Sequence, residues 1–138
     1  MAGKFTRLQK SYKIMDADGV ALYRVVKLTG ENECKKTIAE NEIVLGAVDN
    51  DERLDVAYQA SGDQTGRQVA VKLEGIAELE LAAPVAVGDR IIAAPAGLVK
   101  NLADLAVGTQ ANVIGFAEKG GEEGDVIPVR MAYHVFTV

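Results

Sequence analysis

Apolar and polar residues alternate with a period of two through much of this chain. In Gln68-Val69-Ala70-Val71-Lys72-Leu73-Glu74, the residues Val69, Val71 and Leu73 share one face, while Gln68, Lys72 and Glu74 share the other. The pattern resumes after Gly75 in Ile76–Leu81, where Leu79 and Leu81 oppose Glu78 and Glu80. This period marks a half-buried antiparallel strand with its polar residues on the wet face. A glycine inside such a run reads as a bulge or sharp bend. Further strands are expected at Leu22–Leu28, Glu42–Val48, Arg90–Ala94, Gly97–Lys100, Ala111–Glu118 and Asp125–Val138. Turn signals separate them at Thr29–Asn32, Ser61–Asp63, Gly88-Asp89, Pro95–Gly97 and Gly120–Gly124. Glu33–Glu40 and Lys100–Leu105 have room for a helical turn, but neither is long enough to define a fold. About eight regularly spaced strands predict an all-β, single-domain small barrel or sandwich with Gly-rich turns.

Two segments echo one another. Ile43–Val48, with Gly46 at its centre, is followed after an acidic loop by Gly66 and the strand Val69–Leu73. Asn112–Ala117, with Gly115 at its centre, is followed after an acidic glycine loop by Gly124 and Val126–Met131. Two similar hairpins around one core would produce this pattern.

Composition narrows the chemistry. The 138 residues are 49% hydrophobic, enough for a real core, yet the apolar set contains no Trp and is dominated by Val, Ala, Leu and Ile. One cysteine, Cys34, allows neither an internal disulfide nor a cysteine zinc site, and one histidine, His134, excludes a multi-histidine centre. No apolar run is long enough to span a membrane, and the basic start lacks the apolar core of a secretory signal, so synthesis in the cytoplasm is the expectation. The net charge of −5 is unevenly spread: residues 1–13 carry +4, residues 14–40 carry −1, and residues 41–138 carry −8. A basic N-terminal arm over residues 1–20, joined to an acidic domain over 21–138, suggests docking to something negative. Nucleic acid does not fit, because an acidic body repels phosphate and lacks a basic groove with interleaved aromatics.

Reactive constellations are sought and not found. Cys34 and His134 lie far apart in sequence, so the thiol reads as a free surface group and the histidine as a structural or surface residue of a terminal strand. Asp49–Asp55 spaces its carboxylates like a calcium loop but lacks the glycine and the closing Glu, and reads as a hairpin loop. Gly62–Arg67 lacks the lysine and hydroxyl residue of a phosphate loop. Lys72 sits mid-strand, unlike a carrier-domain lysine on a tight turn. No catalytic residue, metal or cofactor is expected.

Several segments in order carry a family resemblance: Arg24–Gly30, Ile43–Val48, Gly66–Gly75 (GRQVAVKLEG), Ala86–Ile91, Val113–Ala117 and Gly124–Val129. Together they resemble tailed-phage capsid decoration proteins, also called capsid cement proteins, over about residues 22–131. The resemblance implies a structural virion protein on the outer face of an expanded phage head. It would be bound to the major capsid protein as a homo-oligomer, a trimer in preference to a dimer, with no enzymatic role and no nucleic-acid or membrane partner. A non-catalytic binding module, such as a head-fibre base or a carbohydrate-binding domain, is the alternative. The basic N terminus is longer than the family pattern. It is expected to order on the capsid, with Phe5, Leu8 and Tyr12 as apolar anchors and Lys4, Arg7, Lys10 and Lys13 meeting acidic loops.

Overall fold

The computed structural model describes residues 4–49 and 62–138, which form one hydrogen-bonded sheet system. Among the described residues there are nine strands and no α-helix: β1 (Phe5–Ile14), β2 (Arg24–Gly30), β3 (Glu33–Lys36), β4 (Gly46–Val48), β5 (Gln68–Glu80), β6 (Arg90–Ala93), β7 (Val99–Asn101), β8 (Gln110–Ala117) and β9 (Val126–Thr137). The all-β expectation holds.

The sheet closes twice. The first ring runs β1-β5-β4-β2-β3 and returns to β1 through a parallel contact, Ile14 opposite Cys34. The second starts from the latter half of β5 and runs β9-β8-β6-β7. It returns through another parallel contact, Leu81 opposite Val99. These rings are two small barrels that share β5 (first and second barrel below). Gly75 is where β5 passes from one to the other. Its φ of +132° disfavours an L side chain, and a Cβ there would collide with the Phe5 carbonyl oxygen.

The two barrels are copies of one plan. Gln9, Lys72, Ala47 and Val25 stand opposite one another across the first; Ile76, Arg130, Phe116 and Arg90 form the same row in the second. Loop hydrogen bonds repeat as well. Ile14 N–H donates to Arg67 O and Gly66 N–H to Ile14 O; Leu81 N–H donates to Asp125 O and Gly124 N–H to Leu81 O. Tyr23 N–H reaches Val48 O as Gly88 N–H reaches Ala117 O. Left-handed residues recur in step: Tyr23 with Gly88, Asn32 with Gly97, Gly66 with Gly124. The repeat suggested by two hairpins therefore extends through both barrels.

Each barrel has its own core, and the cores correspond. Tyr12, Ile14, Val26, Cys34, Val69 and Val71 fill the first. Leu79, Leu81, Ile91, Val99, Ile127 and Val129 take their places in the second. Val25 and Ala47, on the outer face of the first barrel, join the core of the second, so the barrels pack tightly against each other.

Four sequence expectations are corrected. The segment expected as an arm enters the sheet as β1, because Tyr12 and Ile14 alternate into the first core. Glu33–Glu40 starts as strand β3, not a helical turn, with Cys34 as its single inward apolar residue. Cys34 is buried, and burial, followed by the Asp16 charge, pushes its thiol up to about 12. Lys72 and Glu78 are not on a wet face: they are 1% and 2% exposed, because each barrel covers the outer face of the other's half of β5, with Asp49 between them. Most of the Asp49–Asp55 loop lies outside the described residues.

Candidate docking surface

Strand β1 gathers the basic and apolar residues singled out in the sequence. It pairs with β5 from Phe5 opposite Ile76 to Lys13 opposite Gln68, with register shifts between Thr6 and Leu8 and between Leu8 and Gln9. On its other edge it meets β3 only at Lys13 and Ile14. From Phe5 to Ser11 that edge has no strand partner among the described residues, and the side chains on both faces are exposed. Lys13 N–H crosses this edge to Asn32 O, whereas Ile14 N–H turns the opposite way to Arg67 O. The register is unbroken from Lys13 back to Gln9, so Gln9 and Ser11 also aim their N–H groups outward.

The individual side chains divide. Phe5 and Leu8 are 60% and 47% exposed and can serve as apolar anchors. Arg7 Nε lies 3.5 Å from the Glu74 carboxylate, and Lys10 Nζ sits 5.0 Å above the Tyr12 ring. Lys13 is exposed, while Lys4 Nζ donates to Asp49 O at 3.0 Å. Tyr12 is the exception: its side chain belongs to the first core and is not presented to a partner. The surface is thus a basic strand with one open edge and two apolar side chains.

A second feature lies on the outer face of the second barrel and escaped the sequence reading. Phe116 and His134 stack with centroids 5.4 Å apart, and Arg90 lies over Phe136 at 3.8 Å and over Phe116 at 5.6 Å. His134 Nδ1 lies 2.7 Å from Ala132 O, which assigns it the proton. Its Nε2 then accepts from Arg90 Nε at 3.3 Å. Arg130 also lies over the Phe116 ring, at 5.8 Å. Alternation in β9 places His134 and Phe136 on one face, the signal that could have linked them. Cys34 and His134 are in separate barrels, so no thiol–imidazole pair forms.

A shallow apolar groove of about 300 Å³ lies between Ile43-Val44 and the β8–β9 hairpin, beside Tyr133 and Val135. Burial, followed by the Glu74 charge, raises the Tyr133 hydroxyl pKa, and the hydroxyl donates to Leu45 O at 3.3 Å.

The arrangement is a β-barrel tandem with an exposed basic edge strand and no constellation of nucleophile and base among the described residues. No protein-family model and no curated protein matches the chain by sequence. Among solved structures, the N-terminal base of the head fibre gp8.5 of bacteriophage phi29 shares the fold, with a TM-score of 0.60 at 20% identity. The match covers 91% of this chain and 95% of that one.

Proposed function

We propose that this protein is a non-catalytic structural component of a tailed-phage virion, seated on the outside of the head. The observation that carries this reading is the likeness of fold to a head-fibre base over nearly the whole length of both chains. It favours a fibre base over a capsid cement protein, although both readings share a surface and a partner, the major capsid protein. Contact is made through β1: Phe5 and Leu8 insert, while Arg7, Lys10 and Lys13 meet acidic loops, with Lys4 at the margin. The protein acts as a homo-oligomer, a trimer in preference to a dimer, so that modest contacts multiply on a symmetric lattice.

Purified protein mixed with expanded, undecorated phage heads is expected to bind saturably, and Phe5→Ser/Leu8→Ser to reduce occupancy at least tenfold. Removing residues 2–13 is a poor test, since it deletes a barrel strand. Heads whose thermal stability rises on binding decide for cement, and heads that bind without that rise decide for a fibre base. Absence of binding to cognate heads overturns both.

A further inference from the structure

The junction between the barrels shows how this fold captures a strand. The first barrel offers Val25, Ala47, Asp49 and Lys72 on its outer face, and the second half of β5 lies across them. Lys72 Nζ donates to Ile76 O at 2.9 Å, and Glu78 N–H donates to Asp49 Oδ2 at 3.0 Å. Glu80 N–H donates to Tyr23 O at 2.9 Å, and the Glu80 carboxylate meets Arg24 at 2.5 Å. An extended, acidic, alternating segment, Ile76-Ala77-Glu78-Leu79-Glu80, is thereby held by two cations, a carboxylate and one backbone carbonyl.

The second barrel carries the same set of positions, open to solvent. The shared cross-strand rows put Arg130 where the first barrel has Lys72 and Phe116 where it has Ala47. Ala117 corresponds to Val48 through the matching bonds from Gly88 and Tyr23, so Glu118 stands in the place of Asp49 and Gly88 in that of Tyr23. Here Val87, Gly88, Phe116, Ala117, Glu118 and Arg130 line an open cavity of about 490 Å³. Glu118 and Arg130 are exposed, whereas Asp49 and Lys72 are buried under β5. The strand that covers the first barrel has no counterpart over the second among the described residues, because β9 stays paired to β8 through Thr137 instead of bending as β5 does at Gly75.

We infer that this cavity is a second docking site, which takes an extended acidic segment of a partner protein as the first barrel takes β5. Arg130 donates to a backbone carbonyl of the segment, Glu118 accepts a backbone N–H, and Gly88 O accepts another two residues on. Asp89 stands where the first barrel has Arg24 and is occupied by Ala86 N–H and Asn101 Nδ2, so the charge contact to the segment's carboxylates falls to Arg130, and Phe116 packs against its apolar residue. A second copy docking through its own β1 fits less well. β1 is the counterpart of the captured strand but places Lys10 and Lys13 where Ala77 and Glu80 lie, bringing lysines toward arginines. The site is separate from β1 and does not depend on the virion reading.

The probe is a blocked peptide with the sequence of residues 75–82, titrated into the intact protein and followed by amide NMR shifts. Saturable shifts are expected at Val87, Gly88, Phe116, Glu118 and Arg130. Arg130→Ala and Glu118→Ala, both at exposed positions, should each raise Kd at least tenfold while leaving the remaining spectrum in place. The same peptide with lysine for both glutamates should not bind. Shifts elsewhere, or equal binding by the variants, overturn the site. Concentration-dependent self-association abolished by Arg130→Glu overturns the acidic partner in favour of a second copy.

Discussion

Lys72 Nζ lies 2.8 Å from Asp49 Oδ2, with both side chains almost wholly withdrawn from water between the two barrels. The same carboxylate oxygen accepts Glu78 N–H, and Lys72 also donates to Ile76 O, so the pair stitches β4 to both halves of β5. Removing one member strands the other. Lys72→Met is expected to lower unfolding free energy by about 3–5 kcal/mol, measured by urea denaturation. Arg130→Met, at the equivalent exposed position, should change it by less than about 0.5 kcal/mol. Equal losses would contradict the burial difference.

Gly46 and Gly115 are matched glycines for which a Cβ would strike the backbone of the neighbouring strand, at Lys72 O and Arg130 O. Alanine at either should destabilise by about 3 kcal/mol or more, since neither backbone can retreat without breaking its ladder. Gly66 and Gly124, matched at φ of +88°, face open space. Alanine there should cost only about 1–2 kcal/mol, from the left-handed conformation alone. Thermal melts of the four single variants check the pairing.

The Cys34 thiol, buried and raised to about 12, should resist modification. At pH 8 its thiolate fraction is lower than that of an ordinary cysteine by about a thousandfold. Labelling with a disulfide reagent should therefore follow unfolding, becoming fast only near the urea midpoint. Prompt labelling of native protein would place Cys34 at the surface.

Glu42 fastens the β3–β4 connection. Its carboxylate meets Lys27 Nζ at 2.6 Å and accepts the N–H groups of Ile38 and Ala39. Burial alone would raise its pKa, but these three bonds outweigh burial and hold it below the ordinary carboxylate value. A lowered folded pKa contributes stability above the unfolded value, which is lost as pH falls through the folded one. Glu42→Gln should cost about 1–2 kcal/mol at pH 7. The gap from wild type should begin to narrow as pH falls below the ordinary glutamate value of about 4.3, as followed by denaturant midpoints across pH.

Period-two patterning made β2, β5, β6, β8 and β9 legible, because each has one apolar face. β1 escaped because only Tyr12 and Ile14 point into the core, while Phe5 to Ser11 are exposed on both faces and read as a charged tail. β3 escaped because its single inward residue is a cysteine flanked by charges. The period assigned Lys72 and Glu78 to the face opposite Val71 and Leu79, but could not tell that another barrel covers that face. The repeat was visible where both copies use Val and Ile. It was hidden where Tyr12 and Cys34 in one correspond to Leu79 and Val99 in the other, since the shared feature there is position and volume, not residue type. On β1, the sequence marked the basic and apolar positions but not the open edge, which depends on where β3 stops pairing with β1.

Sharing β5 also has a mechanical consequence. The first half of the strand is laced to β1 and touches β4; its second half is laced to β9, and the residue after it bridges to β7. No flexible tether joins the barrels at this crossing. A tensile load applied to one therefore travels along a continuous backbone into the other, opposed by many ladder bonds sheared together rather than peeled one by one. Held at either barrel, such a body would tilt or shift as a single stiff lever.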